Sequence, residues 1–434
     1  MKDTIDDVSS VAGDSEAATP VVVLVCVGTK PDVRVWPATK AVELGRDKID
    51  DERMSKQHAT VKFERGAWTI TDRESRNGTF VDGERITGEV RAHGNIVVRC
   101  GHSVLLCVPD GRGYDAAVTD TGEHVIGPEL ARLYAQIKRH AQSPTLLVHG
   151  ESGSGKELIA RLYHAEGPRA DGPFVAVNCA AIPEGVAERL LFGSRKGAFS
   201  GATDAVGYLQ SAHGGTLFLD EIADLDPAVQ AKLLRALETR EVMPVGATAP
   251  VEIDAGIVAA SHRELRSAVS AKSFREDLYY RLARAVVHIP PLRARKLDIA
   301  RLVVREIASV DRSLAAHARL IETCCVRPWP GNVRELRAAI HQAASAARDA
   351  GRDTVRPEDL PDRAGMPLPD VTATAKESPK AAATPTSIDK AAVVAALEAA
   401  GGIVSAAARS LGLHRTQLYR LMDKHGIARD DSSE

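Results

Sequence analysis

The chain has 434 residues, with 58 acidic and 56 basic side chains and a formal net charge of −2. That length accommodates two or three domains, and the near-neutral total excludes a uniformly basic nucleic-acid binder, so any DNA contact has to be local. The longest apolar runs, such as Val21 to Val27, are strand-length and far short of the ~20 residues that cross a bilayer. The first ten residues are acidic and polar without a secretory pattern, and the six cysteines have neither metal-ligand spacing nor framework density. The expectation is a cytoplasmic protein with reduced thiols and no membrane partner.

Residues 1–19 carry Asp3, Asp6, Asp7, Asp14 and Glu16 with almost no large apolar residue, the pattern of a solvated tail. Over residues 20–109 short runs of Val, Ile and Thr alternate with turn signals such as Asn77-Gly78 and Asp82-Gly83, which predicts an all-β sandwich. Within it Gly45-Arg46, Ser55-Lys56-Gln57-His58 and Ser75-Arg76-Asn77-Gly78-Thr79 resemble the forkhead-associated (FHA) domain, a binder of phosphothreonine peptides. The resemblance implies that Arg46, Ser55, Lys56, Arg76 and Asn77 contact phosphate or peptide, while Gly45 and His58 hold the loops. The residue types suit the task, since a phosphate of roughly −1.5 to −2 charge needs a guanidinium, hydroxyls and an amide. Taken alone, Arg46 and Asn77 suit ordinary turns as well.

Residues 110–121 read as a linker. Apolar strands at 146–148, 174–177, 216–219, 256–260 and 286–289 then alternate with helical stretches, predicting an α/β domain over 122–290 with a nucleotide at the carboxyl ends of a parallel sheet. The first strand runs into Gly150-Glu151-Ser152-Gly153-Ser154-Gly155-Lys156-Glu157, followed by a helical run, which is the context of a phosphate-binding loop. Glycines turn backbone N–H groups toward phosphate oxygens, and Lys156 reaches the terminal phosphates. Glu157 fits poorly, because the general pattern has Ser or Thr there to hold magnesium. The third strand closes on Asp220-Glu221. By itself such a pair suits a helix cap equally, but after a phosphate loop Asp220 suits a magnesium ion and Glu221 the attacking water.

From Val125 to about Arg363 the chain resembles the AAA+ ATPase domain of bacterial sigma-54-dependent transcription activators. That family commonly writes its phosphate loop GESGxGKE, which accounts for Glu157. The resemblance implies ATP and Mg2+ as cofactors and Asn178 as the residue restraining Glu221. It also implies that the loop Gly197-Ala198-Phe199-Ser200-Gly201-Ala202 touches sigma-54. The family writes this loop GAFTGA, and Ser200 keeps the hydroxyl but loses a methyl. Ser261, with His262 where the family often has Asn, falls at the γ-phosphate sensor, though His262 also suits a solvated loop. Arg275 and Arg281 match arginines that reach a neighbouring protomer's site, with ion pairing of Arg275 to Glu276 or Asp277 as the alternative. Trans action implies a homo-oligomeric ring, a hexamer in the family. A helical lid over 291–363 contains Trp329 to Leu336, where Arg334 matches a second nucleotide sensor and Asn332 suits a helix N-cap.

Residues 364–387, rich in Pro, Ala, Thr and Ser, read as a flexible linker. Over 388–434 an amphipathic stretch from Ile388 to Leu397 precedes Val404 to Leu411, a turn at Gly412, and His414 to His425, an all-α helix-turn-helix that resembles the Fis-type DNA-binding module. His414, Arg415, Thr416, Gln417 and Arg420 lie early enough on its second helix to face a major groove. The combined expectation is an ATP-driven activator that binds DNA as a dimer, assembles a ring, remodels sigma-54 RNA polymerase and answers to phosphothreonine. The phosphothreonine belongs either to a partner protein or to this chain's own segments around Thr19-Pro20, Ser378-Pro379 and Thr384-Pro385. The alternative is a phosphopeptide-gated DNA-binding repressor or scaffold whose ring leaves sigma-54 alone.

Overall fold

The computed structural model describes residues 18–114, 118–121, 124–183, 185–198, 203–367, 390–399 and 418. The chain divides into two compact units, 1–367 and 368–434.

In the first unit, Val21 to Val108 form the expected sandwich of two antiparallel sheets, one of seven strands and one of four. Val21–Val27 pairs along its length with Ser103–Val108, setting Val23 opposite Leu106 and Leu24 opposite Leu105. Strand side chains alternate between faces, so Val22, Leu24 and Leu105 point inward to Trp68 and Ile70 of the smaller sheet. Their neighbours Val21, Val23, Val25 and Leu106 face the other way and are also buried, in one continuous core with Ile321, Cys324 and Cys325 of the helical lid. The larger sheet is therefore covered on both faces.

A buried ion pair crosses this junction, with Arg99 Nε 2.6 Å from Glu322 Oε2. Arg99 also donates to the Gly101 carbonyl at 3.0 Å and lies 3.8 Å over the Phe80 ring. Beside it, the rings of His102 and His317 meet edge to face. The 110–121 segment is correspondingly not an open linker. Tyr114 is buried and hydrogen-bonded to Glu129, and Thr119–Asp120 pairs with Val125–Ile126.

All five anticipated apolar segments are parallel strands of one sheet, in the order 174–178, 216–220, 256–261, 145–149, 286–288. Both faces are apolar, Leu147, Leu219 and Ile257 on one side and Leu146, Phe218 and Val258 on the other, as a parallel sheet between helices requires. Asn178, Asp220, Ser261 and His149 thereby come to the same edge.

The lid is built on helices Lys296–Val310, Ala318–Val326 and Asn332–Asp349. It extends to Pro367, beyond the expected boundary at 363. The Trp329 N–H donates to the Gly365 carbonyl at 3.0 Å, and Arg327 Nη1 to the Ala364 carbonyl at 2.6 Å. Asn332 is not the N-cap. Gly331 holds that position, and the buried Asn332 side chain is used elsewhere, as described below.

In the second unit the helix Lys390–Ala399 is described, with Val393 buried. The residues expected to face DNA, His414, Arg415, Thr416, Gln417 and Arg420, lie outside the described residues, as do Thr384 and Ser378. No helix among the described residues is long and apolar enough to cross a membrane.

Candidate functional site

The strand Thr145–His149 leads into a loop that wraps the start of helix Lys156–Ala165. Gly155 caps this helix at φ 107°, a conformation reserved for glycine. Gly153 is required for a second reason: a Cβ there would fall 2.3 Å from the Gly331 carbonyl oxygen of the lid. Around the loop lies a cleft of about 570 Å³ whose lining includes Ser152 to Glu157, Asn178, Asp220, Glu221 and Arg334.

Lid and phosphate loop are clasped together. Asn332 Nδ2 donates to Glu151 Oε2 at 3.0 Å and to the Ser152 carbonyl at 3.1 Å, while its Oδ1 accepts from the Leu292 N–H. Arg293 makes two bonds to the Glu151 carboxylate, and its guanidinium with Asn332 holds that carboxyl below its ordinary pKa despite partial burial. Arg295 Nη2 donates to the Ser154 carbonyl. Arg334 Nη1 donates to Ser152 Oγ at 3.2 Å. Arg334 was legible in the sequence; the roles of Asn332, Arg293 and Arg295 were missed, because no local pattern tells which loop a lid side chain will reach.

Lys156 is 7% exposed and donates to the Gly150 carbonyl at 3.3 Å and to Glu221 Oε1 at 3.0 Å. Glu221 has φ 52°, a left-handed backbone unusual for a side chain of its size, at a cost of about 1–3 kcal/mol that packing has to offset. Burial works to raise its pKa, but bonds from His262 and Lys156 outweigh it and hold the carboxyl low. Asp220 differs. Burial raises its pKa against the attraction of Lys156, as for a carboxylate short of positive charge. Glu157 turns to the surface and pairs with Arg161 at 2.6 Å.

Asn178 lines the cleft beside Glu221, and its Oδ1 accepts from the Ala180 N–H at 3.0 Å, capping the short turn Cys179–Ala181. Ser261 does not turn its hydroxyl to the cleft; Oγ is exchanged with the backbone of Arg263, and only its carbonyl meets the phosphate loop, at the Gly150 N–H. Arg275 and Arg281 are absent from the cleft lining. Arg275 pairs with Asp277 at 2.7 Å, and Arg281 Nη2 donates to the Leu237 carbonyl. Of the anticipated sigma-54 loop, Gly197 and Ala198 are described, whereas Phe199, Ser200, Gly201 and Ala202 lie outside the described residues.

At the far end of the sandwich the FHA-like residues converge. The Arg76 N–H donates to Ser55 Oγ at 3.2 Å, and Asn77 Nδ2 to the Arg53 carbonyl at 2.5 Å. Arg46, Lys56 and Arg76 are exposed on the three loops, the Arg46 N–H bonded to the Ser55 carbonyl. A Cβ on Gly45 would fall 1.9 Å from the Lys56 carbonyl oxygen, so glycine is what lets the first two loops touch. His58 is fully buried: Nδ1 accepts from the Ser55 N–H at 3.0 Å and Nε2 donates to the Gly78 carbonyl at 3.1 Å.

Comparison with known proteins agrees with this layout. Family models match the FHA domain at residues 42–101, the sigma-54 interaction domain at 125–288, the AAA+ ATPase lid domain at 293–376 and the bacterial regulatory protein Fis family at 384–425. The transcriptional regulatory protein ZraR of Klebsiella oxytoca is 41% identical over 323 residues, which are 71% of this chain and 71% of that protein. The chain belongs to the sigma-54-dependent transcription regulators. The Nif-specific regulatory protein of Azotobacter vinelandii is 42% identical over 68% of this chain, and the match spans only 57% of that regulator. Among solved structures, NtrX from Brucella abortus in complex with ATP is 30% identical with a TM-score of 0.52, covering 72% of this chain and 69% of NtrX. The sigma-54 regulator fold thus carries an FHA sandwich, an AAA+ core with its lid, and a Fis-type helix-turn-helix.

Proposed function

We propose that this regulator hydrolyses ATP as a homo-oligomeric ring and uses the hydrolysis to remodel sigma-54 RNA polymerase at a promoter. The observation that carries the reading is the convergence of the phosphate loop, Lys156, the Asp220–Glu221 pair and Arg334 on one cleft. Phosphates would rest on the backbone N–H groups of residues 151–156 and on the positive end of helix Lys156–Ala165. The donor chemistry suits a magnesium ion. Asp220 is a single hard oxygen donor whose raised pKa calls for positive charge, and the remaining ligands come from phosphate and water. Bound there, the ion would neutralise charge on the phosphates. Glu221 acts as base toward water, and Arg334 senses the nucleotide through the lid.

Arg275 and Arg281, lying outside their own cleft, are read as groups supplied to a neighbouring protomer, where charge develops on the γ-phosphate. The loop around Phe199 and Ser200 is the element moved against sigma-54. His414, Arg415, Thr416, Gln417 and Arg420 hold the ring near its DNA site. The FHA loops take a phosphothreonine, with Arg46, Ser55, Lys56, Arg76 and Asn77 as its donors. The test is ATP turnover and open-complex formation with purified protein on a sigma-54 promoter. Both should be lost in Lys156→Ala, and open-complex formation alone in Phe199→Ala. Loss of neither in Lys156→Ala would refute the reading.

A further inference from the structure

The FHA loops and the phosphate loop are joined by a run of contacts through the FHA–lid junction. Asp51, itself buried, accepts from the Arg53 N–H at 2.9 Å, the His102 N–H at 2.8 Å and Ser103 Oγ at 2.8 Å. The 51–58 loop therefore rests on the 99–103 turn. A Cβ on Gly101 would fall 2.8 Å from the Arg53 carbonyl carbon, and that carbonyl accepts from Asn77 Nδ2. The lid meets the same turn: Arg99 bonds both the Gly101 carbonyl and Glu322, and His102 meets His317. From Glu322 the helix Ala318–Val326 leads to Cys324, whose carbonyl accepts from Trp329 Nε1 at 2.7 Å. Trp329 stands just before Asn332, the clasp on Glu151 and Ser152.

We infer that the FHA sandwich is a fixed part of the lid, and that a phosphothreonine ligand acts on the nucleotide site through the docked body, without releasing it. The inference rests on the phosphothreonine reading above and assigns the route by which that ligand reaches the cleft. Magnitudes decide between transmission and release. Separation would expose Val23, Val25, Val97, Val104 and Leu106, each at most 3% exposed, together with lid residues such as Ile321 and Cys324. Burying one side chain of this kind favours the docked state by roughly ten- to a hundredfold, so these sandwich side chains alone hold it by about 10⁵ or more. A ligand shifts an equilibrium only by its differential affinity for the two states, and coupling between sites typically amounts to about 5- to 150-fold. That falls short of what detachment needs. The connecting segment gives no slack either: Tyr114 belongs to the same core, and Asp120 pairs with Arg305 of the lid at 3.6 Å. What a phosphate does is smaller and local. Its oxygen competes with the Arg53 carbonyl for Asn77 Nδ2, and Arg53 packs on the turn that holds the lid. By linkage, nucleotide then changes peptide affinity by the same factor.

The experiment cuts the full chain without removing any of it. A protease recognition sequence is inserted between Arg112 and Gly113, both exposed, and the cut protein is run on size exclusion at micromolar concentration. It is run alone and with a phosphothreonine peptide selected from a degenerate library. ADP affinity of the uncut wild type is measured with that peptide and with its unphosphorylated twin. Hydrogen exchange of the uncut wild type follows strand Val21–Val27 and helix Ala318–Val326, a readout that does not depend on the insertion. The expected result is that the two fragments co-elute in both runs and that both segments stay protected with peptide bound. The phosphorylated peptide should change ADP affinity at least about fivefold, and ADP should change peptide affinity equally. Separation of the fragments, with or without peptide, would overturn the inference, as would loss of protection in both segments on peptide binding. Bound peptide with ADP affinity unaltered would overturn it too, because the docked sandwich would then report nothing to the cleft. If no phosphothreonine peptide binds, the phosphothreonine reading fails and takes the regulatory half of the inference with it, while co-elution without peptide still decides the docking.

Discussion

The nucleotide cleft and the FHA loops, both proposed to take phosphate, are built on opposite plans. The AAA+ cleft offers backbone N–H groups and one buried lysine, clasped from above by Asn332, Arg293 and Arg295 of the lid. The FHA end offers side chains on three exposed loops, braced from below by the buried His58. The first plan sets the phosphate loop in direct hydrogen-bond contact with the lid, so that whatever occupies the loop bears on the lid. The second keeps the loops open to a peptide while fixing their spacing. Between them lies the junction where the larger FHA sheet is buried against the lid and Arg99 meets Glu322. The FHA sandwich is thus packed directly on the lid that is hydrogen-bonded to the phosphate loop.

The comparison can be broken first at the cleft. Lys156→Ala should lower ATP turnover by at least about a hundredfold, since it removes the charge that meets the phosphates, while leaving phosphothreonine-peptide binding at the wild-type level by calorimetry. At the junction, Arg99→Ala should destabilise the first unit by about 3–5 kcal/mol in denaturant unfolding, because Glu322 is left as a buried unpaired charge. Replacing both, Arg99→Met with Glu322→Leu, should be close to neutral by the same measurement. At the open end, Arg46→Ala should weaken binding of a phosphothreonine peptide library by roughly 1.5–3 kcal/mol, the range for a hydrogen bond to a charged group, with ATP turnover unaltered.

The smallest effect concerns His58. Burial lowers its pKa from 6.5, so the folded protein prefers the neutral ring that accepts from Ser55. The unfolded chain takes up the proton first as pH falls. The stability contributed by this ring is therefore complete above about pH 6.5 and is lost as pH drops below it. Thermal unfolding at pH 7.5 and 5.5 should show a smaller acid loss in His58→Gln than in the wild type.

What could be read from the sequence follows the range of the interaction. The phosphate loop, the Asp220–Glu221 strand end and the FHA loop residues are local patterns, and each sits where its pattern puts it. Long-range partners were not legible. Asn178 and His262 both lie at the ends of strands that flank Thr216–Asp220, and which of the two bonds to Glu221 is a matter of three-dimensional geometry that no local pattern carries. The FHA–lid junction did leave a trace: Val21–Val27 and Ser103–Val108 are apolar along nearly their whole length rather than alternating, the mark of strands covered on both faces. That mark says a partner exists without saying it is the lid, some 200 residues on.

The central claim is that ATP hydrolysis in this cleft drives sigma-54 polymerase. Open-complex formation on a sigma-54 promoter tests it most directly, measured with wild type, Lys156→Ala and Glu221→Gln in the presence of hydrolysable ATP. The account predicts open complexes with the wild type alone. ATP turnover by the wild type without open complexes, on a promoter it occupies, would contradict it.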